Sequence, residues 1–307
     1  MRVVVVMNEK AGTLANRDPN SVASAVRTAF AHAGHTVNLS LVRPSDMAAA
    51  IRRGVNTRPD VLVVAGGDGT LHRTINQIGD TSMALGVLPL GTMNLTARDI
   101  GLPLDPVDAA KALARGTIGQ IDVAALGDIR FLNAAVLGFY PWMVMDRERA
   151  RRRKGLSKWA AMARAAWRVL FRRHEVEVEL TLDADTGEVA RMRTPLLVVA
   201  NNRFAEGAGP VPTKASLADG ELAVYVAEAA GPMALLRIAL AVAAGHWETA
   251  PGLHFIACRT LTVASRHRRL RVAIDGEIRY VEPPLNFRIL ERRLSLLMPA
   301  AAAPPGT

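Results

Sequence analysis

Cysteine is almost absent from this 307-residue chain: Cys258 is the single one. No intrachain disulfide and no thiolate metal cluster can form. Aromatic residues are scarce at 5%, so aliphatic side chains and alanine must fill the interior. Acidic residues number 28 against 38 Lys and Arg, a net charge of +10. That balance draws a chain towards membrane lipid, nucleic acid or nucleotide. Long apolar runs are missing too. Val3-Val4-Val5-Val6 and Met233 to Ala244, which carries Arg237, are both too short to span a bilayer. Met1-Arg2 leads straight into the valine run without a signal-peptide layout, so the expectation is a cytoplasmic protein. The seven histidines lack His-x-x-x-His metal spacing. His32 and His35 flank Gly34 at a helix end, and His72 is expected to face solvent. No Gly-x-Ser-x-Gly elbow surrounds Ser216, and there is no Walker lysine motif. No aromatic–basic nucleic-acid module accompanies the positive charge. These absences argue against a serine esterase, a P-loop enzyme and a nucleic-acid binder.

Half of the residues are hydrophobic, and their spacing is informative. Val3 to Met7, Thr36 to Val42, Val61 to Ala65 and Ala84 to Leu88 read as strands. Helical periodicity covers Ser21 to Ala33, Ser45 to Arg53, Leu71 to Ile78 and Asp105 to Ala114. Gly34 is a C-cap candidate and Ser45 an N-cap candidate. A β-α-β-α order predicts a parallel sheet flanked by helices. Beyond residue 118 the pattern changes to strands: Ile121 to Leu126, Arg130 to Val136, Val176 to Leu182, Arg191 to Ala200, Glu221 to Val226, Phe255 to Ala264, Arg269 to Ile274 and Leu285 to Leu290. Gly127-Asp128 is a hairpin signal. An antiparallel sheet or sandwich follows. The expected division is residues 1–118, residues 119–292, and a tail 293–307 that is partly disordered.

The densest chemical signal is Gly66-Gly67-Asp68-Gly69-Thr70, set between a buried strand and a helix start. Glycines let a phosphate approach the main chain, and a helix N-terminus adds unpaired N–H groups. Asp68 would repel a phosphate directly, unless a divalent cation lies between or it positions the site indirectly. The corner therefore suggests a nucleotide kinase using Mg²⁺. Two other loops belong to the same sheet edge. Asn8-Glu9-Lys10-Ala11-Gly12-Thr13 follows the first strand, where Asn8 and Lys10 are placed to meet a phosphate or to form an ordinary loop. Pro89-Leu90-Gly91-Thr92-Met93-Asn94 follows the fourth. Gly91 gives a second close backbone approach; Thr92 and Asn94 offer a hydroxyl and an amide, or Thr92 acts as a helix N-cap. In the strand-rich half, Asn201-Asn202 ends a strand, while Asp219-Gly220 and Asp275-Gly276-Glu277 mark turns.

In that order, these motifs resemble the diacylglycerol kinase catalytic-domain family, the bacterial lipid kinases related to sphingosine and ceramide kinases. The resemblance spans roughly residues 2–292 and includes the run Pro212 to Leu222. It implies an N-terminal Rossmann-like α/β domain with a parallel sheet, binding Mg·ATP, and a C-terminal antiparallel β-sandwich domain, with a ligand cleft between them. It also implies that Asp68, with Gly66, Gly67, Gly69 and Thr70, shapes the ATP phosphate site. Thr92 and Asn94 would line the nucleotide. Asp219 would help to hold a Mg²⁺-linked network, and Glu277 would take the proton from a lipid hydroxyl. Many relatives carry an acidic residue after the asparagine, where this chain has Leu95.

Residues 147–173 carry eleven Lys and Arg against one acidic residue, Glu148. From 155 to 173 they alternate apolar and basic positions at helical spacing, with Trp159 and Trp167 on the apolar side. The expectation is a basic helix at an anionic membrane, hence a peripheral protein of the inner face; the alternative is a core-packed helix with a solvated charged face. A homodimer is compatible with the chain. Two other classes stay open: a kinase of a soluble substrate, akin to NAD kinases, and a silent lipid- or nucleotide-binding protein.

Overall fold

The computed structural model describes residues 1–145, 175–183, 188–207, 209, 211–228 and 231–300. The basic segment 155–173 lies outside the described residues. The chain forms two compact units: Met1–Asp122 joined by the segment from Glu291 onward, and Val123–Leu290.

In the first unit, β1 (Arg2–Asn8), β2 (Thr36–Val42), β3 (Val61–Gly66) and β4 (Ala84–Pro89) pair in parallel in the order β2-β1-β3-β4. The interior strands are valine- and leucine-rich because both faces are covered; every residue of β3 and β4 is buried. Between them run α1 (Pro19–His32), α2 (Met47–Asn56), α3 (Asp68–Ile78), α4 (Leu95–Asp99) and α5 (Pro106–Ala114). α1 packs on α5, and α2 on α3. Asp18 caps α1 by accepting from Asn20 N–H and Ser21 N–H, with Pro19 opening the helix, an arrangement that contributes about 1 kcal/mol. Gly34 takes φ +81°, as a helix-terminating glycine should. Ser45 is not a cap: Pro44–Asp46 is a short 3₁₀ turn and α2 begins at Met47. In this strand order, the chain reverses direction across the sheet between β1 and β3, so the loops leaving them open a crevice at the C-terminal edge.

The second unit is antiparallel. β7 (Ala134–Gly138), β10 (Leu196–Asn201), β11 (Leu222–Ala227), β12 (Leu253–Cys258), β14 (Leu270–Ile274) and β15 (Glu277–Val281) form a six-stranded sheet in the order β12-β11-β10-β7-β14-β15. Opposite it, β8 (Val176–Leu182) pairs with β9 (Glu188–Thr194) and β13 (Thr260–Ala264), and β13 with the first part of β16 (Leu285–Met298). Inward residues of both layers, among them Leu137, Val199, Val224, Val263, Ile274 and Phe287, share one core. A smaller core on the outer side of the six-stranded sheet gathers Phe204, Tyr225 and Ile238, the last from α6 (Pro232–Ala243).

Three expectations are corrected. The run 121–126 lies within one strand, β5 (Thr117–Leu126), but the runs 130–136, 191–200 and 255–264 are each two segments: β6 (Ile129–Phe131) and β7, β9 and β10, β12 and β13. Interruptions at Leu132-Asn133, Pro195 and Arg259 redirect the chain. The tail does not start at 293, because β16 runs to Met298 and buries Leu294, Leu296 and Leu297. Leu296 pairs in parallel with Leu85 of β4, so the end of the chain extends the first unit's sheet. His72 is buried rather than solvent-facing.

Candidate functional site

One group of candidate residues is built at the C-terminal edge of the parallel sheet. Gly67 is the N-cap of α3, so Asp68 is that helix's first residue. The first N–H groups of a helix have no acceptor within it, and here they open beside a second glycine. A Cβ added to Gly91 would lie 2.5 Å from Gly67 Cα, and one added to Gly67 would lie 3.0 Å from Gly91 Cα. Two main chains thus touch with no room for a side chain. Leu90 N–H donates to Gly66 carbonyl (3.0 Å), which locks the two loops together. The first loop joins them: Thr13 N–H donates to Leu90 carbonyl at 3.2 Å, and Thr13 Oγ1 to Gly91 carbonyl at 3.3 Å.

The polar side chains here hold the loops in shape. Asn94 is buried in the left-handed region (φ +51°) and caps α4. Its Oδ1 accepts from Gly91 N–H (2.8 Å) and its Nδ2 donates to Gly91 carbonyl (2.9 Å). Asn94 therefore shapes the Gly91 corner, and it takes the cap position that the sequence alone offered to Thr92, which is exposed. Asp68 Oδ1 accepts from Leu95 N–H at 2.8 Å. The contact belongs to the Leu95 backbone, so it does not depend on which side chain stands at that position. Asn8 Oδ1 accepts from Lys10 N–H (3.0 Å) and turns the first loop, leaving the Lys10 side chain exposed. Gly69 and Thr70 lie in the first turn of α3, where Thr70 N–H donates to Gly67 carbonyl (2.9 Å). Asn8, Lys10, Gly66, Gly67, Asp68, Gly69, Thr70, Gly91, Thr92 and Asn94 thus occupy three mutually connected loops. A separate groove of about 700 Å³ runs along α1 and α5, lined by Ser24, Thr28, His32 and Lys111 among others, and shares no residue with those loops.

A second group of candidate residues lies in the antiparallel unit. Asp275 (φ +45°) and Gly276 (φ +83°) form the two-residue turn joining β14 to β15. Asp275 is more than a turn residue. Its carboxylate accepts from Leu132 N–H (3.0 Å), Asn133 N–H (2.9 Å) and Ala134 N–H (3.2 Å). Glu277, the first residue of β15, is half-buried and pairs with Arg279 at 3.2 Å. Asp219 is exposed beside Gly220 (φ +71°). Glu221 makes a bidentate pair with Arg203 at 2.8 and 3.2 Å; that bond to Glu221 raises the Arg203 pKa further above its ordinary value.

Sequence reading passed over Lys214. It is only 8% exposed, and its ammonium donates to Asn133 carbonyl and Asn202 carbonyl, both at 3.2 Å, above the Phe204 ring. Asn202, in the left-handed region, accepts from Glu221 N–H through Oδ1 at 3.3 Å. One polar network thus links the turn of Asp219 to the turn of Glu277. The only available signal was a lysine inside the Pro212 to Leu222 run.

Among the described residues no three His, Cys, Asp or Glu side chains converge as a metal cage. A nucleotide-linked Mg²⁺ uses one or two carboxylates with phosphate oxygens and water, a requirement the carboxylates of these loops fit. The Gly67–Gly91 contact, where even a methyl group is excluded, fits a phosphate held by main-chain groups.

Comparison with known proteins bears on the family and the fold. Residues 2–126 match the model of the diacylglycerol kinase catalytic domain. Residues 144–298 match the model described as the YegS C-terminal NAD kinase beta sandwich-like domain. Among curated proteins, a diacylglycerol kinase of Staphylococcus saprophyticus is 25% identical over 256 residues, covering 83% of this chain and 82% of that one. One of Staphylococcus aureus strain JH9 is 24% identical, covering 83% and 79%. A solved diacylglycerol kinase structure from Bacillus anthracis strain Sterne superposes with a TM-score of 0.73 at 18% identity, over 98% of both chains. Another from that strain gives 0.76 at 20% identity, over 98% of this chain and 97% of that one.

Proposed function

Because this chain belongs to the diacylglycerol kinase catalytic-domain family, we propose that it is a lipid kinase moving the γ-phosphoryl group of ATP to a lipid hydroxyl. The observation that carries the reading is the backbone contact of Gly67 and Gly91 beside the start of α3. A corner that excludes side chains and presents helix N–H groups suits an anionic group such as a phosphate of a polyphosphate tail. The relatives are diacylglycerol kinases, which makes diacylglycerol the first acceptor to test.

In this reading the three loops hold the phosphates by their main chain, and Lys10 adds positive charge. Glu277 accepts the proton of the lipid O–H as that oxygen forms its bond to γ-phosphorus. The bond from γ-phosphorus to the bridging oxygen breaks, and ADP leaves with the electron pair. A positioned carboxylate contributes about 10²–10⁴-fold. Mg²⁺, when bound, supplies neutralisation of phosphate charge; Asp68 and Asp219 are the carboxylates proposed to hold it. The substrate's home is a bilayer, so the proposal includes work at the inner membrane face, with the basic segment 155–173 against anionic lipid. Among the described residues no helix is long and apolar enough to cross a membrane.

The test is incubation of the full chain with γ-labelled ATP, Mg²⁺ and mixed micelles of diacylglycerol, beside a total lipid extract. Label entering a lipid phosphate supports the reading. A lipid fraction that stays unlabelled overturns it. NAD belongs in a parallel tube, because the second matched model is described as NAD kinase-like; labelled NADP in place of lipid would establish the soluble-substrate alternative.

A further inference from the structure

α6 is the most apolar helix among the described residues, and the side it shows to solvent is as greasy as the side it packs. Its residues Pro232–Ala243 include no acidic group and one basic group, Arg237. Ile238 turns inward, 3% exposed, against Phe204 and Tyr225. On the opposite side Met233 is 64% exposed, Leu236 41% and Leu240 63%. Spacings of three and four place these three on one line of the helix, with Arg237 beside them and Ala243 and Ala244 extending the stripe, all exposed. Elsewhere among the described residues, Trp142 and Tyr280 stand at Arg271 with Met143 next to Trp142 in sequence, and the other exposed large apolar side chains are dispersed along the chain, whereas α6 sets three in one row at helical spacing.

We propose that the exposed face of α6 is a membrane-docking surface that lies in the plane of an anionic leaflet. Size and charge choose this occupant over a second copy of the chain. Twelve residues of helix span roughly 18 Å, so the stripe covers roughly 200 Å² against about 800 Å² per partner in a stable dimer. A two-fold interface centred on the stripe would also set Arg237 against its own copy. At a leaflet the same Arg237 reaches lipid phosphate while Met233, Leu236 and Leu240 enter the acyl boundary. The inference deepens the lipid kinase reading and takes its purpose from it, since a lipid acceptor must be drawn from a bilayer. Its test needs no turnover, so either can fail alone.

The probe is a vesicle of phosphatidylcholine with a minor share of phosphatidylglycerol, sedimented with the full-length chain. High salt screens contributions from basic segments, and there Met233→Gln with Leu240→Gln should lower partitioning about tenfold. Both positions are exposed, so an unchanged melting curve is expected and confirms that the variant folds. A direct readout uses Leu240→Cys carrying a polarity-sensitive fluorophore. Native Cys258 will not compete, since burial pushes its thiol up to about 12. A blue shift on adding vesicles supports docking through α6. An unshifted probe, or partitioning unaffected by the double variant, overturns it. So does a wild-type dimer in sedimentation that the double variant abolishes, because a second copy would then own the face.

Discussion

Glu277→Gln keeps shape and hydrogen bonding while removing the proposed base. Its link to Arg279 is a half-exposed ion pair, a class of contact that contributes about 1 kcal/mol at most. The variant should therefore melt like wild type and lose about 10²–10⁴-fold in kcat. Turnover within a few-fold of wild type in the micelle assay removes Glu277 from that role. Gly91→Ala tests the glycine corner of the first unit. The new methyl would sit 2.5 Å from Gly67 Cα and 2.9 Å from Asn94 Oδ1, with backbone on one side and a buried amide on the other. The loops must separate, at about 1–3 kcal/mol, and ATP affinity measured by calorimetry should fall at least tenfold. Unchanged affinity would place the nucleotide elsewhere. The glycine corners were legible because glycine, aspartate and strand signals are local. Lys214 was not. Lysine is ordinarily exposed, and its burial depends on the carbonyls of Asn202, twelve residues away, and of Asn133, 81 residues away.

At the scale of elements, the β14–β15 hairpin is a clamp as well as a turn. The interruption between β6 and β7 leaves the N–H groups of Leu132, Asn133 and Ala134 outside their ladders, and Asp275 collects all three from 142 residues away or thereabouts along the chain. Hydrogen bonds to a carboxylate are stronger than neutral ones. Asp275→Ala should destabilise the protein by about 2–4 kcal/mol in urea. Asp275→Asn should cost less, since asparagine tolerates the left-handed backbone and keeps one acceptor oxygen. Equal losses for the two variants would deny the clamp. This explains what strand periodicity could and could not deliver. β1 to β4 are continuous apolar runs whose ends coincide with glycine or polar loops. The run 130–136 looks equally continuous, yet it breaks where a distant carboxylate offers its N–H groups a better partner. The residues of α6 read as helix from pattern alone, while its exposed stripe required knowing which side Ile238 anchors.

For the whole molecule, the final strand decides which part of the chain can fold. Pattern reading ended the last strand at Leu290 and took 293 onward as tail. Glu291, Arg292 and Arg293 are instead the step by which the chain rejoins the first unit. Arg292 takes φ +46° and its N–H donates to the buried Asp122 at 2.7 Å, and Arg293 pairs with Asp80. Leu294, Leu296 and Leu297 then go into the core, and Met298 closes over Gly116 and Gly119, where an added Cβ would collide with it. Three buried leucines at about 2 kcal/mol each come to a total similar to the entire stability of a typical domain. A chain ending at Leu290 also leaves the edge of β4 unpaired, an invitation to aggregation. That truncation should be insoluble or melt without a cooperative transition, whereas a chain ending at Ala300 keeps every contact described and should melt within a degree or two of full length. A soluble, ATP-binding chain ending at Leu290 would show that the nucleotide unit is complete without its returning strand.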